Sequence, residues 1–202
     1  WPHLKTLMPL IGSATSERPT HMKVPEDVSE LCFVQYNKRE SVSAKDEYVT
    51  IKYVTPEEFL LTTSRYNSTD SDVKSVTDYS GVELHVLTDE HPSMYTSFDE
   101  EYLVFNSHKS ELDSTLQASA SRAQGYRIPS WTMNDDFVPD LPEEAFPALL
   151  AEAKSTCFTR LKQMSDGKSE QQSRRQMARL HRNSWVVNGG IRLPSYGRRG
   201  KK

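Results

Sequence analysis

The chain has few of the features that mark an enzyme or a membrane protein. In its 202 residues no apolar run is long enough to cross a bilayer as a helix. The opening residues lack the pattern of a secretory signal. Neither common glycine-rich phosphate loop occurs, and there is no Gly-x-Ser-x-Gly nucleophile elbow. The six histidines, His3, His21, His85, His91, His108 and His181, fall in no His-x-x-x-His frame, and Cys-x-x-Cys is absent. Such spacings supply metal ligands from one element, so nothing local here holds a metal. The only two cysteines, Cys32 and Cys157, stand far apart. They read as buried free thiols of a reducing compartment rather than as a disulfide. Hydrophobic residues are scarce too, at 36%. That scarcity points to segments that are extended or become ordered only against a partner.

The absence with most consequence is at the C-terminal end, where no acidic residue follows Glu170. Of 25 Lys and Arg against 28 Asp and Glu, nine basic and no acidic residues lie in 171–202. That segment therefore carries a formal +9 and the preceding residues −12, a split hidden by the net −3. One reading is a solubilising basic tail. The other is a molecule whose two ends meet different surfaces, or whose tail meets the acidic part of a neighbour.

Along the chain, residues 1–19 form a lead-in that closes in the polar stretch GSATSERP. A β-rich region, 20–133, follows. Alternating apolar and polar residues predict strands over Glu30–Asn37, Glu47–Val54, Val73–Tyr79, Gly81–Thr88, Glu101–Asn106 and a stretch near Thr115–Ile128. Gly81 in TDYSG suits a hairpin between two of them. Thr55-Pro56-Glu57-Glu58 announces a short helix over Pro56–Thr63, with a cap, a first-turn proline and first-turn acids.

A helical region, 134–185, opens with the acidic connector NDDFVPDLP. The spacing predicts a helix over Pro142–Met164 whose apolar stripe is Phe146, Leu149, Leu150, Ala153, Cys157, Leu161 and Met164. Asp166-Gly167 reads as a stop. Ser169 and Gln172 can then form a capping box for a second helix running to about Asn183; the alternative is one long helix kinked at Gly167. The second stretch, EQQSRRQMARLHR, is polar nearly all round and needs packing partners. Residues 186–202 read as an extended basic arm, punctuated by Asn188-Gly189-Gly190, Pro194 and Gly197. The fold class is thus α+β. WPHLKTL reads as the end of a helix, so a helix is expected before Trp1 in the intact protein.

Three acidic clusters hold paired carboxylates. Asp99-Glu100-Glu101 opens a strand and Glu143-Glu144 suits a helix start. Asp135-Asp136 has no such structural duty, and paired carboxylates can hold a divalent ion. Arg174, Arg175, Arg179 and Arg182 form a basic face able to meet phosphates or the carboxylates of another chain.

Residues 135–185 resemble the head-to-tail adaptor (connector) proteins of tailed bacteriophages. The most specific blocks are LPEEAFPALLAEAKSTCF and QQSRRQ, with WPHLK, TSFDEEYLVF and LPSYGRR in support. The resemblance implies a structural virion protein without catalysis or cofactor, assembled in the host cytoplasm and located at the head–tail junction. It implies a dodecameric ring beneath the portal protein, bound below by tail or nozzle proteins, through which DNA passes without specific binding; no membrane is involved. On this reading Trp185, Arg192, Tyr196, Arg198 and Arg199 dock the arm onto the portal, and Arg174, Arg175 and Arg179 contact neighbouring subunits. Two other readings stay open: a DNA-binding accessory protein using the basic segment, and a metal-dependent hydrolase built on Asp135, Asp136 and a neighbouring histidine.

Overall fold

The computed structural model describes residues 2–41, 43–164, 166–185, 187–188 and 191–192. It divides into two units, residues 5–128 and residues 1–4 with 129–202.

The first unit is a curled seven-stranded sheet. Its strands are β1 (Lys5–Met8), β2 (His21–Lys23), β3 (Val28–Asn37), β4 (Tyr48–Tyr53), β7 (Met94–Thr96), β8 (Tyr102–Phe105) and β9 (Ser121–Arg127). Helix α1 (Pro56–Thr63) and the hairpin of β5 (Val73–Thr77) and β6 (Glu83–Leu87) are inserted between β4 and β7. The sheet order is β1-β9-β3-β4-β7-β8-β2, and all pairs are antiparallel except β4 with β7. Just beyond β1, Ile11 exchanges two backbone hydrogen bonds with Lys23 of β2, at 2.9 and 3.0 Å. These draw the two edges of the sheet together, which removes an edge that other chains would otherwise extend.

Inside the curl lie Leu10, Met22, Val34, Tyr36, Ile51, Tyr95, Leu103 and Phe105. Truncating a buried Phe such as Phe105 to Ala costs about 3–5 kcal/mol in comparable cores. A second cluster, Val54, Phe59, Leu84 and Val104, seats α1. That helix spans the predicted residues: Thr55 Oγ1 accepts from the Glu58 amide and Pro56 opens the first turn. The TDYSG hairpin also forms, with Gly81 at φ +85° and the Asp78 amide donating to the Val82 carbonyl. Strands β1, β2 and β7 were not predicted; each has three or four residues and is defined by distant partners. Near Thr115–Ile128 the strand proper is Ser121–Arg127.

The second unit is a helical hairpin. Pro2–Leu4 and Glu143–Ala145 are single 3-10 turns, and the helices are α2 (Phe146–Lys162) and α3 (Gly167–Trp185). The open choice between one kinked helix and two is thus settled as two. The break lies earlier than expected. Gln163, at φ +52°, ends α2 as its amide donates to the Phe158 carbonyl. Gly167 is not a stop but the first residue of α3. Nor does Ser169 cap that helix. Asp166 does, its Oδ1 accepting from the Lys168 and Ser169 amides while Ser169 Oγ donates to Oδ2 at 2.6 Å.

The helices meet through small side chains. Ala145, Ala148, Ala151 and Ser155 are buried on one side, Ser169, Ser173 and Leu180 on the other, and Ser173 donates to Glu152. Val187–Asn188 (β10) and Ile191–Arg192 (β11) pair as a two-residue antiparallel ladder.

Candidate assembly surfaces

The stripe predicted for α2 exists, but it is not the face that α2 buries in the hairpin. At 100° per residue, Ser155 points opposite to Phe146. Burying the Ala and Ser face therefore turns the larger apolar side chains outward. Leu150, Leu161 and Met164 are 72%, 80% and 66% exposed. Phe146, Leu149, Ala153 and Cys157 are exposed as well. Small residues win the helix–helix contact because they let the backbones approach and pack closely. The result is an apolar face along the length of α2, and such patches mark interaction sites.

Arg174, Arg175 and Arg179 are all exposed on α3. Arg175 and Arg179 lie one turn apart, so their like charges repel mildly until an anion meets them. The structure thus brings this triad together on one helix. Trp185 ends α3 and Arg192 lies in β11. Tyr196, Arg198 and Arg199 lie outside the described residues. The acidic pair Asp135-Asp136 sits in an exposed turn closed by the Phe137 amide on the Asn134 carbonyl. Among the described residues no group of three His, Cys, Asp or Glu side chains is placed to hold a metal. The cysteines correct another expectation. Cys32 and Cys157 are free as expected, but both are exposed, because Cys32 lies on a solvent-facing part of β3 and Cys157 on the outward stripe.

Sequence reading missed a buried polar cluster in the sheet unit. His21 Nε2 lies 3.0 Å from Asp78 Oδ1, and both residues are buried. Ser80 donates through its hydroxyl and its amide to Asp78 Oδ2. Tyr79 packs edge-on to His21 and stacks on Tyr102, with the Arg18 guanidinium 4.3 Å over its ring. Burial pushes His21 below the ordinary histidine value, outweighing the pull of Asp78. Burial raises Asp78, but hydrogen bonds from Ser80 and His21 more than offset it and hold the carboxyl low. A neutral imidazole thus donates to a carboxylate. The serine spends its proton on the aspartate and not on the histidine, so the trio has the members of a nucleophile relay in the wrong order. What it does is tie β2 to the β5–β6 turn. The residues are 57 apart, and no local signal announces the pair.

No helix among the described residues is long and apolar enough to cross a membrane. The chain matches no protein-family model and no curated protein, so the functional reading rests on these surfaces.

Proposed function

We propose that the chain is a structural subunit of a bacteriophage virion, a head-to-tail adaptor that forms a ring beneath the portal, extends the DNA channel and docks the tail. The observation that carries this reading is the outward apolar stripe of α2. A helix that buries alanines in its own hairpin and presents leucines to water is built to be covered by something else. Lateral contact between copies covers it, and the exposed arginines of α3 meet carboxylates of the −12 body of a neighbour. The basic C-terminal segment orders on the portal, where contact offsets its loss of conformational entropy. An acidic body lining the channel repels DNA and keeps it from sticking as it passes. The mechanism is geometric, with no bond made or broken.

The test is to mix the purified chain with isolated portal rings and measure the mass and symmetry of the product by electron microscopy. A ring added on one face of the portal is expected. A chain that stays monomeric and unattached beside intact portals contradicts the reading.

Arg174, Arg175 and Arg179 favour one other reading, an accessory protein that binds DNA through α3. Binding to duplex DNA would then weaken steeply with salt, by a slope set by the phosphates engaged. Absence of binding at low salt removes it.

A further inference from the structure

Among the described residues, only the C-terminal part of β3 has a strand on both sides. From Val34 to Tyr36 it pairs with β4 and with β9, and Asn37 pairs with β4. From Val28 to Phe33 it pairs with β9 alone, and among the described residues no strand lies along its other edge. The end of β4 turns instead to β7, where Lys52 and Tyr53 pair with Met94 and Tyr95. The sheet parts here and leaves a groove of about 440 Å³. Val28, Leu31, Tyr53, Tyr95 and Leu103 give it an apolar lining, and Glu30 and Glu100 also face it.

The parting is built into the backbone. Two irregularities in the β3–β9 register bend this part of β3. Gly125 of β9 permits one of them, since a Cβ there would stand 2.5 Å from the Glu30 carbonyl. Opposite, Glu100 holds φ +62° in a turn whose Asp99 carboxylate accepts from the Glu101 and Tyr102 amides. The neighbouring acids are already engaged, Glu26 and Glu101 with Lys23 and Asp27 with Arg127. Glu30 and Glu100 form no ion pair among the described residues.

An open strand edge above an apolar floor, with carboxylates in reserve, suits the addition of an extended, basic segment. This chain contains one. The ladder of Val187–Asn188 with Ile191–Arg192 is too small to be stable alone. Residues 187–196 hold Arg192 and no acid, and Arg198 and Arg199 follow directly. We propose that the groove beside β3 receives residues 187–196 of a second copy of this chain as an added strand, with Glu30 and Glu100 meeting Arg192 within it and Arg198 and Arg199 just beyond it. The contact is head-to-tail between copies, the kind that closes into a ring when its rotation permits. It rests on reading the C-terminal segment as a docking arm, but gives the first part of that arm to the neighbouring copy.

Cys32 lines the groove and is exposed, so its alkylation rate reports occupancy. The experiment uses the full chain, follows maleimide labelling of Cys32 by peptide mass spectrometry over a range of protein concentrations, and measures mass on the same samples by sedimentation. Labelling is expected to slow by about tenfold or more as copies associate. Reversing charge in the groove (Glu30→Arg with Glu100→Arg) or in the arm (Arg192→Glu, Arg198→Glu and Arg199→Glu) restores fast labelling and the monomer. A chain carrying both sets associates and protects Cys32 again. Association that leaves Cys32 fast overturns the proposal, as does slow labelling in a chain that remains monomeric, which would place its own segment in the groove. Absence of association at any concentration overturns it too. If the groove variant still attaches to portals, failure here removes the groove contact and leaves the docking-arm reading standing.

Discussion

Two residues carry more of the fold than their chemistry suggests. Gly125 is one, because any side chain there meets the Glu30 backbone. Gly125→Ala is expected to cost about 2 kcal/mol or more, at the upper end of ordinary substitutions, and to lower the thermal midpoint; an unchanged midpoint contradicts the close approach. His108 is the other. Burial, with Lys74 nearby, pushes its pKa down to about 4, and burial also lowers His91 and His21. The unfolded chain takes up these protons near pH 6.5 and the folded chain does not. Stability is therefore full above about pH 6.5 and falls as pH drops toward 4, with His108 alone contributing on the order of 3 kcal/mol at the lower end. Urea midpoints at pH 7 and pH 4.5 should differ accordingly, and His108→Gln should flatten the difference. Equal midpoints for the unaltered chain would show that His108 is not buried neutral. Neither residue was legible beforehand, since both effects depend on backbone or burial brought from far along the chain.

Among elements, α1 was the most legible, because its cap, proline and first-turn acids are local signals. Strands β2 and β7 were the least legible, being three residues each and specified only by partners. Helix α2 falls between. Periodicity found its apolar stripe but not which face the hairpin would cover, since small residues at Ala148, Ala151 and Ser155 compete for the same contact. The expected arginine triad is on the surface as read, while Tyr196, Arg198 and Arg199 lie beyond the described residues. If the stripe serves assembly, Leu150→Glu with Leu161→Glu changes monomer stability by no more than about 0.5 kcal/mol, as exposed substitutions do, yet abolishes ring formation. A large drop in monomer stability would instead mean that the stripe is covered within the chain. Ala148→Leu should do the opposite, overpacking the hairpin by about 1–3 kcal/mol, which a urea melt will register.

At the scale of the whole molecule, the sheet unit owns a well-packed interior, whereas among the described residues the helical unit buries little besides small side chains and Leu180. On the adaptor reading, a chain with 36% hydrophobic residues and a +9 end takes part of its stabilising contact from association, by mass action. The adaptor reading joins these features: a β-rich body, a helical hairpin that packs against copies, and a terminal segment that gains order on a larger partner. The most direct measurement is attachment to purified portal rings by the full chain and by a chain ending at Trp185, compared by co-sedimentation. The account predicts that the full chain attaches, while the shortened chain keeps its fold by circular dichroism and remains free. Equal attachment of the two would contradict it.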